Sequence, residues 1–142
     1  MARSFRIASY NVLADSYVKP QWYPNVDPEV LRWDRRKFAL AERVARLDTA
    51  YAWIVCGDLN AQSDSPVVKE LVGSGFVDAY AGREQATCNP NRRAKRIDYI
   101  FHTSALRSEP AKLMEIDDLT PLPSADEPSD HLALVAAFEK KE

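Results

Sequence analysis

"VCGDLNAQSDSP", Val55 to Pro66, is the stretch on which the reading of the fold turns. It closes the apolar run "YAWIVCG" (51–57), which is continuous rather than alternating and so predicts a strand buried on both faces, with Cys56 as a core residue. Asp58 and Asn60 follow at the strand end. Both residue types are favoured in turns, and both suit chemistry: a carboxylate can hold a cation or aim a water, and an amide can donate to a phosphate oxygen. Ser65 as cap, Pro66 at the first helical position and Gly73 after Val67, Val68, Leu71 and Val72 then predict a short helix. A strand, a polar turn and a helix in succession make one unit of a layered α/β protein.

Upstream, "FRIASYNVL" (5–13) reads as a strand ending near Asn11, and "ADSYVKPQWYPNVDP" (14–28) as a proline-punctuated loop offering Tyr17, Trp22 and Tyr23. Asp27 as cap, Pro28 and Glu29 open a helix with Phe38, Ala41, Val44 and Ala45 on one face and Leu40 and Leu47 alongside. Downstream, "RIDYIFH", "AKLMEI" and "HLALVAAFE" predict three more strands, with the acidic, proline-rich "DDLTPLPSADEPSD" as loop. No internal repeat or linker divides the chain.

The whole of 1–142 therefore predicts one domain, since 142 residues at 46% hydrophobic content support one core and not two. A net charge of −2 supplies no global field for a polyanion, which leaves the local cluster Arg92, Arg93, Lys95 and Arg96 as the candidate phosphate contact. The two cysteines, Cys56 and Cys88, form neither a disulfide framework nor a metal-ligand spacing, which suits a reducing, cytoplasmic setting. No apolar run reaches the length of a membrane span, so no membrane partner is expected.

Four polar clusters fall at predicted strand ends: Asn11, then Asp58 with Asn60, then Asp98, then Asp130 with His131. Strand ends are where layered α/β proteins gather their chemistry, so convergence on one cleft is the expectation. Asp98 is the sharpest case, because an inward acid on a strand is costly unless paired, and His131 is the partner expected. Carboxylates, amides and an imidazole together suit phosphoester hydrolysis. Against this stand plainer readings: Asp58 to Asn60 as a turn, Asp130 and His131 as loop and strand-end residues, the arginines as a solvated loop, and the aromatics as packing. His102 is read as structural or exposed.

"SYNVLADSYVKPQWYP" (9–24), "GDLNAQSDSP" (57–66), "RIDYIF" (96–101) and "SDH" (129–131) occur in the order found in one family. The chain resembles the endonuclease/exonuclease/phosphatase superfamily, whose fold is that of deoxyribonuclease I, and in its first block the deadenylase branch that includes nocturnin. The resemblance implies a shortened deoxyribonuclease-I-like α/β fold with a mixed sheet and two main helices. It further implies a metal-dependent phosphodiesterase or nuclease. Asp58 would orient or deprotonate the attacking water, Asn60 would hydrogen-bond the phosphate, and Asp98 would orient His131 against it. Asn11 and Asp130 would approach a Mg²⁺ or Mn²⁺ ion. From the residues rather than the resemblance, Arg96 in the basic cluster before Asp98 and the aromatic faces of Trp22 and Tyr23 are the expected contacts for a nucleic acid or other phosphoester substrate.

One departure from the family is large. There, the first helix leads to a strand carrying the principal metal-binding Glu, and a long middle region precedes the Gly-Asp-x-Asn strand. Here "ARLDTAYAWIVCGDLNA" (45–61) runs from helix to that strand directly. A weak metal site and impaired activity are expected of that loss, with either a compact single sheet, the first and last strands paired beside the Gly-Asp-x-Asn and "RIDYIF" strands, or a homodimer covering the opened sheet. The alternative is an inactive remnant or an engineered minimal fold that is structural or binds nucleic acid or protein through the old cleft.

Overall fold

The structure is a computed structural model and describes residues 18–46 and 52–141. After a 3₁₀ turn at Pro20–Trp22, the chain forms α1 (Pro28–Leu31), α2 (Trp33–Ala45), β1 (Ile54–Asp58), α3 (Pro66–Gly73), β2 (Phe76–Asp78), β3 (Asp98–Thr103), β4 (Leu106–Pro110) and β5 (Ala136–Lys140). The α/β layering expected from the sequence is present. Every strand ladder among the described residues is antiparallel.

Strand β3 organises the molecule. It is the middle of a three-stranded sheet in the order β1-β3-β2, and it is buried along nearly its whole length. Side chains alternate faces along a strand. Tyr99 and Phe101 therefore share one face, where they stack at 5.3 Å and join Val68, Leu71 and Phe76 in a core that Val44 of α2 also covers. Ile100 lies on the other face, packed with Ala79, Tyr80, Leu113 and Leu132 and bordered by Ala136 and Phe138 of β5. The sheet is thus sandwiched between a helical layer and a second layer built on the two-stranded β4–β5 sheet. By the same alternation Asp98 points into the second layer, from which His131 comes.

Several expectations are corrected. The single helix from Pro28 is two: Arg32 is extended (ψ 131°), and its guanidinium bonds Asp34 across the break at 3.1 and 2.9 Å. Phe38, placed on the apolar face by periodicity, is 44% exposed. The strand "YAWIVCG" is not buried on both faces. It pairs with β3 alone among the described residues, its C-terminal half faces solvent, and Cys56 is exposed because the second layer reaches Ile54 and stops short of it.

"AKLMEI" is extended coil, although Leu113 is buried there, and "HLALVAAFE" becomes strand only from Ala136. The partner of β5 is instead Leu106–Pro110, so the last strand does not join β1 and β3 in a single sheet. β4 alternates weakly and ends in Pro110, which an edge strand tolerates. β2 also escaped the sequence reading, since it is only three residues long. His102 is the structural histidine, 2% exposed, with Nδ1 at 2.9 Å from the Thr103 carbonyl and Nε2 at 2.9 Å from Ser108 Oγ. Among the described residues no helix is long and apolar enough to cross a membrane.

Candidate active site

The Gly-Asp-x-Asn turn is shaped by backbone requirements that its residue types meet. Gly57 sits at φ +147°, a region L side chains rarely adopt, and Asn60 takes the left-handed conformation at φ +50°, which Asn tolerates better than most residues. The Asn60 backbone N–H donates to Asp58 Oδ1 at 2.7 Å, and Asn60 Nδ2 donates to Asp58 Oδ2 at 3.0 Å. Turn chemistry and carboxylate placement are therefore the same set of bonds. The next residue, Leu59, donates its N–H to the Ile97 carbonyl at 2.9 Å and ties the turn to the start of β3.

Asp58 lies directly opposite Asp98 in the β1–β3 ladder. Residues so paired share a sheet face, and like charges there are unfavourable. Asp58 is exposed as a residue, with its carboxylate partly desolvated at the strand end. Loss of hydration there pushes its pKa above the ordinary carboxylate range, and the Asp98 charge adds to that. The Asn60 N–H, His131 and Lys95 pull the other way.

Asp98 is held by two partners. His131 Nδ1 is 3.1 Å from Oδ1 and 2.9 Å from Oδ2, and Thr87 Oγ1 donates to Oδ2 at 2.7 Å. Thr87 Oγ1 in turn accepts the backbone N–H groups of Ile97 (3.1 Å) and Asp98 (3.2 Å). With Nδ1 on the carboxylate, Nε2 is the ring nitrogen that can face a ligand. The expected pairing of Asp98 with His131 is present, as the cost of an unpaired inward acid required.

The residues that hold this pair are ones the sequence reading passed over. Thr87, Cys88 and Asn89, all buried, lie between the 95–97 segment and the 130–132 segment and bond to both. Cys88 N–H donates to the Lys95 carbonyl (3.1 Å) and Lys95 N–H to the Cys88 carbonyl (3.0 Å). On the other side Asn89 N–H donates to the Asp130 carbonyl (2.9 Å) and Leu132 N–H to the Thr87 carbonyl (2.7 Å). Asn89 Nδ2 also donates to the carbonyls of Asp117 (2.9 Å) and Thr120 (2.7 Å), fastening the acidic loop to the same strut. The only sequence signal was a polar Thr-Cys-Asn-Pro run before the basic cluster.

The remaining candidates divide. Asn11 lies outside the described residues, as does Tyr17. Asp130 is half-buried beside His131, and its charge, like that of Asp58, reaches Cys88. Arg96 is corrected: it is 7% exposed, its guanidinium pairs with Asp78 and lies 4.8 Å from the Tyr99 ring centroid, so it braces β2 against β3 rather than facing a substrate. Lys95 is the cation of the cluster that the site feels, while Arg92 and Arg93 are exposed. Trp22 is 57% exposed with the Lys19 ammonium 4.8 Å from its ring centroid; neither it nor half-buried Tyr23 bonds to Asp58, Asp98 or His131.

Two donor sets are available to a cation. The carboxylates of Asp58 and Asp130 suit a hard ion that keeps most of its waters. Cys88, Asp98 and His131 do not suit such an ion, because burial, and then the Asp98 charge, push the Cys88 thiol up to about 11 and sulfur is a soft donor.

Among curated proteins none matches the chain significantly. Several solved structures are similar to it, of which two have a TM-score of 0.55. The human Nocturnin catalytic domain with bound sulfate is 26% identical with a TM-score of 0.55, over 75% of this chain and 40% of that one. A functionally unknown conserved protein from Enterococcus faecalis V583 is 19% identical with a TM-score of 0.55, over 95% of this chain and 49% of that one, which bears on fold alone. The chain thus spans less than half the length of either. Its residues 4–131, however, match the model of a single family across all the elements that build the site. On that match, the chain belongs to the Endonuclease/Exonuclease/phosphatase family.

Proposed function

We propose that the chain is a phosphodiester hydrolase whose reacting groups are Asp58, Asn60, Asp98 and His131. The observation that carries the reading is the fixed series Thr87–Asp98–His131, set across the ladder from Asp58. Asp98 holds the Nδ1 tautomer, so His131 Nε2 is presented to a phosphate oxygen and can hold a proton there. Asp58, with a carboxyl that binds its proton more tightly than usual, is suited to take one from an attacking water. Asn60 Nδ2 carries two hydrogens. One is on Asp58 and the other is free to donate to the phosphate. Lys95 contributes positive charge at the same end of the sheet.

A Mg²⁺ or Mn²⁺ ion fits the oxygen chemistry of Asp130 and Asp58, with Asn11 the third residue the family resemblance assigns to it. When bound it would supply charge stabilisation at the phosphate. With so few protein ligands its affinity is low. The substrate proposed is a single-stranded nucleic acid, in keeping with the resemblance of the first sequence block to the deadenylase branch, and Trp22 offers an exposed ring for base stacking. Both thiols are free, with Cys56 exposed, which suits a reducing, cytoplasmic compartment. A second reading, binding without hydrolysis, draws support from the chain's spanning 40% and 49% of its two structural relatives.

Hydrolysis of oligo(A) RNA and of a generic phosphodiester, with Mg²⁺ and with Mn²⁺, separates the two. Turnover that disappears in Asp58→Asn and His131→Ala supports the hydrolase. Oligo(A) binding without turnover supports the second reading, and turnover that survives both substitutions is contamination.

A further inference from the structure

We infer that Cys88, Asp98 and His131 form a second cation site, selective for a thiophilic transition metal such as Zn²⁺ or Co²⁺ and distinct from the oxygen-ligand site for Mg²⁺ or Mn²⁺. One ligand atom from each of the three lies within 4.8 Å of the other two, a spacing that small shifts bring onto one ion at Zn–S and Zn–N bond lengths. Sulfur, nitrogen and oxygen in one set select Zn²⁺ or Co²⁺ over Mg²⁺. Among the described residues, no other group of three such donors is gathered this closely.

The site is built in advance. Cys88 is bridged on one side to Lys95 and on the other to His131, so two of the ligands stand opposite each other in a backbone ladder. Asp98 starts β3 three residues after Lys95, and Thr87 already bonds its carboxylate as an outer ligand partner would. Cys88 is wholly buried, whereas the His131 side chain is 30% exposed and opens the route of entry. Coordination exchanges bonds in a balanced way. The Cys88 S–H, which now points to the Lys95 carbonyl at 3.5 Å, loses its proton to solvent as the S–metal bond forms. The His131 proton facing Asp98 moves through solvent to Nε2 as Nδ1 and the carboxylate turn to the metal. The ion therefore replaces the histidine–aspartate hydrogen bond.

The test is a Co²⁺ titration of the full chain with a non-thiol, non-chelating reductant, read by absorption rather than by turnover, so that it stands or falls separately from the proposed hydrolysis. Cys56→Ser leaves Cys88 as the only thiol in the chain. The expected result in that variant is a thiolate-to-cobalt charge-transfer band that saturates at one equivalent, is displaced by Zn²⁺, and survives excess Mg²⁺. Cys88→Ser, which keeps nearly the same volume, loses the band. Absence of the band in Cys56→Ser, or its displacement by Mg²⁺, overturns the inference, as does a band that persists in folded Cys88→Ser.

Discussion

The two ends of β3 each hold a histidine, His102 as one of its own residues and His131 docked from another segment onto Asp98, and they use it in opposite ways. At the C-terminal end His102 is 2% exposed, both ring nitrogens are bonded, and its ring meets Phe138 edge-on at 5.5 Å. At the N-terminal end Asp98 binds His131, whose side chain remains 30% exposed and which keeps one nitrogen open. The same sheet face serves both. What differs is the number of polar atoms left over once the local bonds are made: none at the His102 imidazole, and one ring nitrogen plus the shared carboxylates at the His131 end. A buried polar group with every bond made is structure; a held group with a bond to spare is available for chemistry.

Breaking each histidine separates the two ends most sharply. His131→Ala is expected to lower kcat/KM for phosphodiester hydrolysis by about 10²–10⁴-fold, the range of a lost acid–base group, with little change in the unfolding midpoint. His102→Ala is expected to do the reverse: the orphaned Ser108 hydroxyl and lost packing destabilise by roughly 2–4 kcal/mol, with turnover per folded molecule preserved. Chemical unfolding and steady-state kinetics on both variants check the contrast, and equal loss of activity in the two would erase it.

Arg96→Ala comes next. Removing one partner of a buried ion pair leaves Asp78 uncompensated and costs about 3–5 kcal/mol. The effect belongs in urea unfolding, and a selective rise in KM for RNA would instead restore Arg96 to the substrate surface. Thr87→Val is smaller. It removes the hydroxyl that accepts from the N–H groups of Ile97 and Asp98 and leaves Asp98 Oδ2 with His131 alone, so about 1–3 kcal/mol of stability and a part of the turnover are lost together. Thr87→Ser, which keeps the hydroxyl, should recover most of both.

Asp58→Asn sharpens the comparison from the side of charge. A carboxyl whose folded pKa lies above its unfolded value contributes stability that is complete below the unfolded pKa and is lost as pH rises through the folded one. Asp58 is such a group, so at neutral pH its ionised form works against the fold. The variant should abolish hydrolysis yet unfold at a higher temperature than the parent at pH 7, with the gap closing as pH falls through the acidic carboxylate range. A gap that stays constant with pH would assign the stabilisation to something other than Asp58 ionisation.

Much of the acidic end was legible because it is written in contiguous motifs. "GDLN" holds its own bonds within four residues, and "RIDYIF" shows its alternation directly, with Tyr99 and Phe101 on one face and Asp98 and Ile100 on the other. What could not be read was anything settled by distant partners. Arg96 looks like one more loop cation, and its burial follows only from Asp78 lying on β2. Thr87 and Cys88 carry no periodic or spacing signal, since their importance comes from two segments meeting on either side of them. The break at Arg32 and the exposure of Phe38 likewise depend on which neighbours α2 meets rather than on its periodicity.

Asn89 grips the long acidic loop at both of its roots, through Asp117 and Thr120 at one and Asp130 at the other. The residues between, 121–129, are mostly exposed. Ser129 Oγ accepts the His131 N–H at 3.1 Å and Leu122 packs on the second-layer core, so both belong to the frame. The residues between them, 123–128, are thereby a cassette, a place where length and sequence can change without resetting Asp98 and His131.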